Sequence, residues 1–323
     1  MLRVAIDAMG GDHAPQVVIE GAVSAVQANK GKLEVVLCGP ESLLKQELEN
    51  AGYQGDSISI IDAPDVVAMD EHPTEVLRKK PNSGLVTCVA LQKKGLVHAS
   101  ISAGNSGAMM ASCLMLLGRS TDTFTRPPIA CAIPTAKNRT VLVDAGANID
   151  EKASVLVDFA IAGSVFAESY LGYENPRVAL LNMGEEEKKG PVVVQEAYQQ
   201  LKNTSLNFIG NVEGRGLIAG DADVIVTSGF TGNVVLKMLE GFYELHQSLF
   251  GTIDSPEGKR FAEMWDYRST GGALLLGLNG TGVIAHGCSD ARAIEQAILS
   301  ASQFAETKIA ENVGKKLADF KRS

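Results

Sequence analysis

The sequence is short of the features that mark several common classes of protein. Its five cysteines (Cys38, Cys88, Cys113, Cys131 and Cys288) are scattered, odd in number and never spaced as CxxC. That pattern argues against a disulfide framework and against a zinc cluster. Excess positive charge is missing too, the formal net charge being -9. A binder of nucleic-acid phosphates needs a basic surface, so nucleic acid is not expected as a partner. No proline-rich or serine-rich linker divides the chain and no short internal repeat is evident, so tethered domains are not indicated. The N-terminus "MLRVAIDAMG" has one basic residue and runs straight into glycines, unlike a signal peptide. The longest apolar stretch outside the strands, "GAMMASCLMLLG" from Gly107 to Gly118, falls short of the roughly 20 residues of helix that cross a bilayer. Cytoplasmic residence follows, with any membrane role peripheral.

What is present is an alternation of two patterns over 323 residues of ordinary globular composition, 45% hydrophobic and 21% charged. Short β-branched runs recur at 2 to 6, 33 to 38, 57 to 61, 99 to 102, 140 to 144, 177 to 181, 206 to 210 and 223 to 227. They read as strands buried on both faces. Most are followed by glycine, asparagine or aspartate and then by a segment of helical period. Val235, Met238, Leu239, Phe242, Leu245 and Leu249, for example, fall on one helix face. Strand, polar turn and helix in repetition is the signature of an α/β fold with a mostly parallel sheet. Residues 1–323 are taken as one such domain, with an aromatic-rich helical excursion at 241–272 and a final helix from about Ala291 to Phe320.

Ligands of parallel sheets bind beyond the carboxyl ends of the strands, where helix N-termini present unpaired N–H groups. Six glycine-bearing turns follow strands here: "DAMGGD" (7 to 12), "SAGNSGA" (102 to 108), "DAGAN" (144 to 148), "NMGEEEKKG" (182 to 190), "TSGFTGN" (227 to 233) and "AHGCSD" (285 to 290). Each alone is explained by the glycine and the Asn, Asp or Ser caps that such loops need. Six on one expected rim, with Asn105, Ser106, Asn148, Thr231 and Asn233 as neutral donors, suit a phosphate. The phosphate loop GxxxxGK[ST], an unambiguous GxGxxG, HExxH and GxSxG are all missing, so a nucleotide and covalent serine catalysis are weaker readings. Cys288 reads first as a small packed residue. His13 and His286 lie in turns and are acid or anion-contact candidates. Lys188 and Lys189 read first as part of a solvated loop, yet a lysine there can stabilise an oxyanion.

Taken together, "AIDAMGGDHAP" (5 to 15), "ISAGNSGA" (101 to 108), "VDAGAN" (143 to 148), "TSGFTGNVVLKMLEG" (227 to 241), "GGALLLGLNG" (271 to 280) and "AHGCSDARAI" (285 to 294) resemble the bacterial phosphate acyltransferases of phospholipid synthesis, the PlsX family. The resemblance implies a three-layer α/β/α, Rossmann-like fold similar to isopropylmalate dehydrogenases and phosphotransacetylases. It implies transfer of a long-chain fatty acyl group from acyl carrier protein to inorganic phosphate, giving acyl phosphate for a downstream glycerol-3-phosphate acyltransferase. It further implies a homodimer, peripheral membrane contact, and neither metal nor cofactor. On that basis Lys189 or Lys188 and Asn233 stabilise the reacting centre and His286 protonates the departing thiolate. Gly10, Gly11, Asn105, Ser106, Gly107, Asp144, Asn148, Thr231 and Gly232 are assigned to phosphate, while Asp7, Asp12 and His13 are placed with the turn that helps to hold it. The chain departs from the pattern at "RKKPNSGL" (78 to 85), where Pro81 intrudes and Gly84 replaces a serine, and at Cys288, where serine is usual. Two rivals stand beside this reading: a short-chain phosphotransacetylase using acyl-coenzyme A, and an inactive membrane-associated scaffold of lipid synthesis. Six aromatics, Phe242, Tyr243, Phe250, Phe261, Trp265 and Tyr267, out of 17 in the chain, crowd the excursion. They read as a dimer contact or local core, or else as an acyl-chain entrance or membrane-touching hairpin.

Overall fold

The computed structural model describes residues 1–122, 124–251, 254–266 and 271–320. In chain order its strands are β1 (Leu2–Asp7), β2 (Leu33–Gly39), β3 (Ile58–Asp62), β4 (Ala99–Ser102), β5 (Ile129–Pro134), β6 (Arg139–Val143), β7 (Val178–Leu181), β8 (Phe208–Val212), β9 (Val224–Val226), β10 (Ala273–Leu275) and β11 (Thr281–Ile284). The fold is α/β, as expected. The one domain read from the sequence clusters as two compact units. Unit 1 is Met1–Arg119 with Arg268–Ala310, and unit 2 is Ser120–Tyr267 with Glu311–Ser323.

In unit 1 the strand order is β3-β2-β1-β4-β11-β10. All neighbours are parallel except β10, which runs against β11. Parallel strands joined by helical crossovers are covered on both faces, which is why β1 and β2 read as unbroken apolar runs. Ala5, Val36, Cys38, Ala63, Cys88 and Val97 form one of the buried clusters under the sheet. The helix Gly84–Lys93 packs on β1, β2 and β4, while Gln16–Ala28 packs on Ala291–Glu306. The single final helix expected from the sequence is two, Ala291–Glu306 and Ile309–Phe320. Lys308, with φ at 54°, breaks the run.

In unit 2 the order is β5-β6-β9-β7-β8, parallel except for β5 against β6. Its core gathers Ile133, Leu142, Ala179, Val212, Leu217 and Ile225. Across it lies the apolar helix Ala153–Phe166, which widens into a π turn over Ala167–Leu171. Together these 19 residues, of mean hydropathy 1.4, are long and apolar enough to span a bilayer, longer than the Gly107–Gly118 stretch taken as the maximum. Phe159, Ala160, Ile161 and Phe166 are buried inside the unit, as suits a core helix that is hydrophobic all round. The helix Gly229–Phe250 divides the face expected of it. Val235, Leu236 and Leu239 pack on the core, whereas Phe230, Val234, Met238, Phe242, Leu245 and Leu249 are exposed. Within it, His246 has its ring 4.6 Å from that of Phe261, which stacks on Trp265 in the helix Pro256–Trp265. Tyr267 lies outside the described residues.

Candidate functional site

In unit 2, β6, β9 and β7 run side by side and end together, Val143 and Leu180 both pairing with Val226. Their loops, 144 to 148, 227 to 233 and 182 to 190, therefore leave one edge, with neighbouring strands about 4.8 Å apart. Asp144 is fully buried at its root. Its Oδ1 accepts the N–H groups of Ile129, Gly146 and Ala147, each at 3.0 Å, and its Oδ2 accepts the backbone and side-chain N–H of Asn148, both at 2.8 Å. Burial still pushes this carboxyl above its ordinary value, with those hydrogen bonds opposing.

The helix Gly229–Phe250 starts against this carboxylate. A Cβ at Gly229 would stand 2.8 Å from Asp144 Oδ2, and one at Gly232 would run into the Asp144 carbonyl oxygen, so both positions must be bare for the helix to seat. Ser228 caps it, accepting the Thr231 N–H at 3.3 Å. Thr231 and Asn233 face solvent, the Asn233 side chain lying over Gly146. The 182 to 190 loop is fixed by its backbone: Asn182 Nδ2 donates to Lys189 O at 2.9 Å, and Asn211 Nδ2 to Glu186 O at 3.0 Å. Glu187 pairs with Lys202 at 3.6 Å, and Lys188 and Lys189 stand exposed. A helix N-terminus, an amide and two ammonium groups on adjacent loops form an edge suited to phosphate and to a developing oxyanion. Farther along the first loop, Glu151 Oε1 is buried with no hydrogen-bond partner among the described residues. Burial first, and then the Asp144 charge, raise that carboxyl to about 7.

Unit 1 repeats the plan with other contacts. β1, β4 and β11 end together, Ile6 pairing with Ile101 and Ile101 with Val283. Asp7 is buried at this edge. Its Oδ2 accepts the Ser102 hydroxyl at 2.8 Å and its Oδ1 accepts the Met9 N–H at 3.3 Å. Two hydrogen bonds do not offset burial, which lifts the carboxyl from 3.8 to about 6. Gly10 closes on it from one side, where a Cβ would lie 2.8 Å from Oδ2, and Gly84 from the other, where a Cβ would run into Oδ1. Gly84, a departure from the family pattern, is thus required by the carboxylate beside it, and Ser83 caps the helix that it starts. Asn105 caps the helix Ser106–Leu116 through Ala108 N–H at 2.9 Å and donates to Met69 O and Glu71 O at 3.0 and 2.9 Å. Asp12 N–H donates to Gly287 O at 2.8 Å, tying the first loop to the turn after β11.

Of the six turns, three belong to unit 1 (7 to 12, 102 to 108 and 285 to 290) and three to unit 2 (144 to 148, 182 to 190 and 227 to 233). Of the residues assigned to phosphate, Asn105 and Asn148 use their amides on neighbouring loops, Asn148 Nδ2 also reaching Pro127 O at 3.1 Å. Gly10 turns its bare Cα inward to Asp7, and Gly107 turns its own to Pro73. Asp12, His13, Ser106, Thr231, Asn233, Lys188 and Lys189 are exposed, Gly11 and His286 half so. The sequence reading passed over Ser102 and Glu151. It also took Cys288 for a packed residue, whereas Cys288 is exposed with Sγ 3.0 Å from His286 Nδ1.

The profile of a family described as "Fatty acid synthesis protein" matches residues 2–312. A "Phosphate acyltransferase" from Desulforamulus reducens is 43% identical, over 99% of this chain and 99% of its own length. One from Trichlorobacter lovleyi is 42% identical, over 98% and 95%. Among solved structures, a phosphotransacetylase from Streptococcus pyogenes superposes with a TM-score of 0.65 at 20% identity, covering 94% of each chain. A branched-chain phosphotransacylase from Enterococcus faecalis gives 0.62 at 15%, over 94% of this chain and 99% of that one. At such identities the solved structures speak for the fold alone.

Proposed function

The chain belongs to the phosphate acyltransferase family, an enzyme family of acyl transfer to phosphate, and we propose that its donor is a long-chain acyl thioester of acyl carrier protein. The observation that carries the reading is the unit 2 edge, where exposed Asn233, Lys189 and Lys188 stand on loops that the buried Asp144 and the 182 to 190 hydrogen bonds hold in place. Phosphate near neutral pH is already a nucleophile and needs no strong base, so positioning and charge stabilisation are the work required. Its oxygen attacks the thioester carbonyl carbon, and the carbonyl oxygen gains charge. Collapse of the tetrahedral species breaks the C–S bond and leaves acyl phosphate and a thiolate. In this reading Asn233 and Lys189 hold the charge on the carbonyl oxygen, and Thr231 and the first amides of the helix Gly229–Phe250 bind phosphate. The product serves a downstream acyltransferase of glycerophospholipid synthesis.

Palmitoyl-acyl carrier protein incubated with the chain should release thiol only when phosphate is present. Lys189→Ala and Asn233→Ala should each slow that release at least tenfold, about 1.4 kcal/mol of barrier, with the circular dichroism unchanged. Unchanged rates in both variants would remove the catalytic assignment, and release from acetyl-coenzyme A alone would move the donor to the short-chain class. The exposed stripe Phe230, Val234, Met238, Phe242, Leu245 and Leu249 supports a homodimer, since a run this long is seldom left to water. A Trp265 emission shift on adding anionic vesicles would assign the helical pair to a peripheral membrane contact instead.

A further inference from the structure

The lysine turn of the unit 2 edge hangs from one carbonyl. Glu186 O accepts the Lys189 N–H at 3.1 Å, closing a turn with Glu187 and Lys188 at its tip, and it also accepts Nδ2 of Asn211 at 3.0 Å. At the other end Asn182 Nδ2 donates to Lys189 O at 2.9 Å, while its Oδ1 accepts the Met183 N–H at 2.8 Å. Asn182 belongs to the loop it holds and uses both ends of its amide. Asn211 lies on β8, 25 positions from the carbonyl it reaches, and is only 7% exposed. Its Oδ1 is buried with no hydrogen-bond partner among the described residues. A buried acceptor left unmet lowers stability, so as packing an apolar side chain of like shape would suit this place better. What Asn211 supplies in return is the brace on Glu186. The backbone of β8 is bent to deliver it. Val178 of β7 pairs with Phe208, but Ala179 pairs with Gly210, whose φ is 101°. The extra residue, Ile209, brings Asn211 opposite Leu180 rather than Leu181, and so onto the face of Phe208. Tyr198 of the helix Val192–Lys202, which follows the lysine loop, meets Phe208 on that face edge-on at 5.1 Å. A bulge of this kind re-aims the side chains beyond it.

We propose that Asn211 is a positioning residue of the acyl-transfer site, which acts through the Glu186 carbonyl to hold Lys189 at the reacting centre and is kept there although it lowers stability. The inference rests on the acyl-transfer reading for its kinetic readouts alone. Asn211 touches no reacting atom. Its part is to have the lysine in place before charge appears on the thioester carbonyl oxygen, an interaction that strengthens only as the transition state forms. Loss of the brace therefore falls on kcat rather than on the KM for phosphate.

Asn211→Leu and Asn211→Ala are compared with the unaltered chain. In Asn211→Leu the urea midpoint should hold or rise, while kcat for phosphate-dependent thiol release falls about tenfold and the KM for phosphate moves less than about twofold. The Lys189 amide should exchange its hydrogen about tenfold faster, with the amides of β6 and β9 protected as before. Asn211→Ala, which adds no bulk, should show the same loss of kcat and the same freed amide. In a chain that already carries Lys189→Ala, Asn211→Leu should slow the reaction by no more than about twofold, because a residue acting through the lysine has nothing left to act on. A kcat in Asn211→Ala within about twofold of the unaltered chain overturns the inference. Lys189 exchange unmoved in both variants overturns it too, as do losses that multiply in full in the combined variant or a lower urea midpoint in Asn211→Leu. An unaltered chain that releases no thiol would count against the acyl-transfer reading instead, and exchange at Lys189 would still decide whether Asn211 holds the turn.

Discussion

Asp7 and Asp144 occupy equivalent places, each at the carboxyl end of a strand reading into "DA", each buried, each closed over by two glycines. Their surroundings differ. Asp144 accepts five N–H groups, while Asp7 accepts one N–H and one hydroxyl. A buried carboxylate surrounded by N–H donors acts as a fixed knot, here between Ile129 and the loop 146 to 148. One with two partners is held more by shape, and its charge stays costly. The unit 2 edge is accordingly the better platform for charge stabilisation, and Asp7 on the unit 1 edge gives the steeper response to proton concentration.

The largest test of this contrast is to exchange each carboxylate for an amide. Asp144→Asn sets an NH2 group against N–H donors, and at about 1–3 kcal/mol for each unsatisfied buried donor the loss should reach about 3 kcal/mol, with activity gone. At about pH 4, where the folded chain keeps the Asp7 proton, Asp7→Asn should cost about 1 kcal/mol, because the Ser102 hydroxyl can turn to accept. Urea denaturation measures both, and equal losses would break the comparison. Next comes pH. With 3.8 for the unfolded carboxyl and about 6 for the folded one, the folded chain keeps a proton that the unfolded chain has released between those values. Stability should therefore fall as pH rises from about 4 to about 6, by on the order of 3 kcal/mol, and level off above. Asp7→Asn should lack that slope. The smallest effect belongs to Glu151, raised from 4.5 to about 7. The sign is the same and the window wider, but the group is partly in contact with water, so Glu151→Gln should flatten only a shallow decline, read from denaturation midpoints at pH 5 and 7.

Parallel strands were legible because burial on both faces writes itself as β-branched runs, and eight runs read from the sequence match β1 to β4 and β6 to β9 within two residues at either end. The strands outside those runs are β5, β10 and β11: β5 and β10 are the two antiparallel members, one ending in Pro134 and the other three residues long beside Gly271 and Gly272, and β11 is a four-residue strand that opens on Thr281 and Gly282. Site residues divide in the same way. Turn composition placed Asp7, Asp144 and Asn233 on loop edges, since glycine and caps are local requirements. What the side chains hold was not legible, because Asn148 reaches back to Pro127 and Asn105 to Met69, contacts that only the folded chain creates. Gly84 teaches the converse: a departure that looked like a lost hydroxyl is a close approach to a carboxylate 77 positions away in sequence.

Unit 1 is interrupted along the chain by unit 2. During synthesis β4 is made early, yet the strand that pairs with its outer side, Thr281–Ile284, leaves the ribosome near the end. Until then β4 is an open parallel edge with unpaired backbone groups, a template for other chains. A nascent chain halted after Trp265 should therefore aggregate or recruit chaperones although the whole of β1 to β9 has been translated, and supplying residues 271–320 as a separate peptide should relieve it.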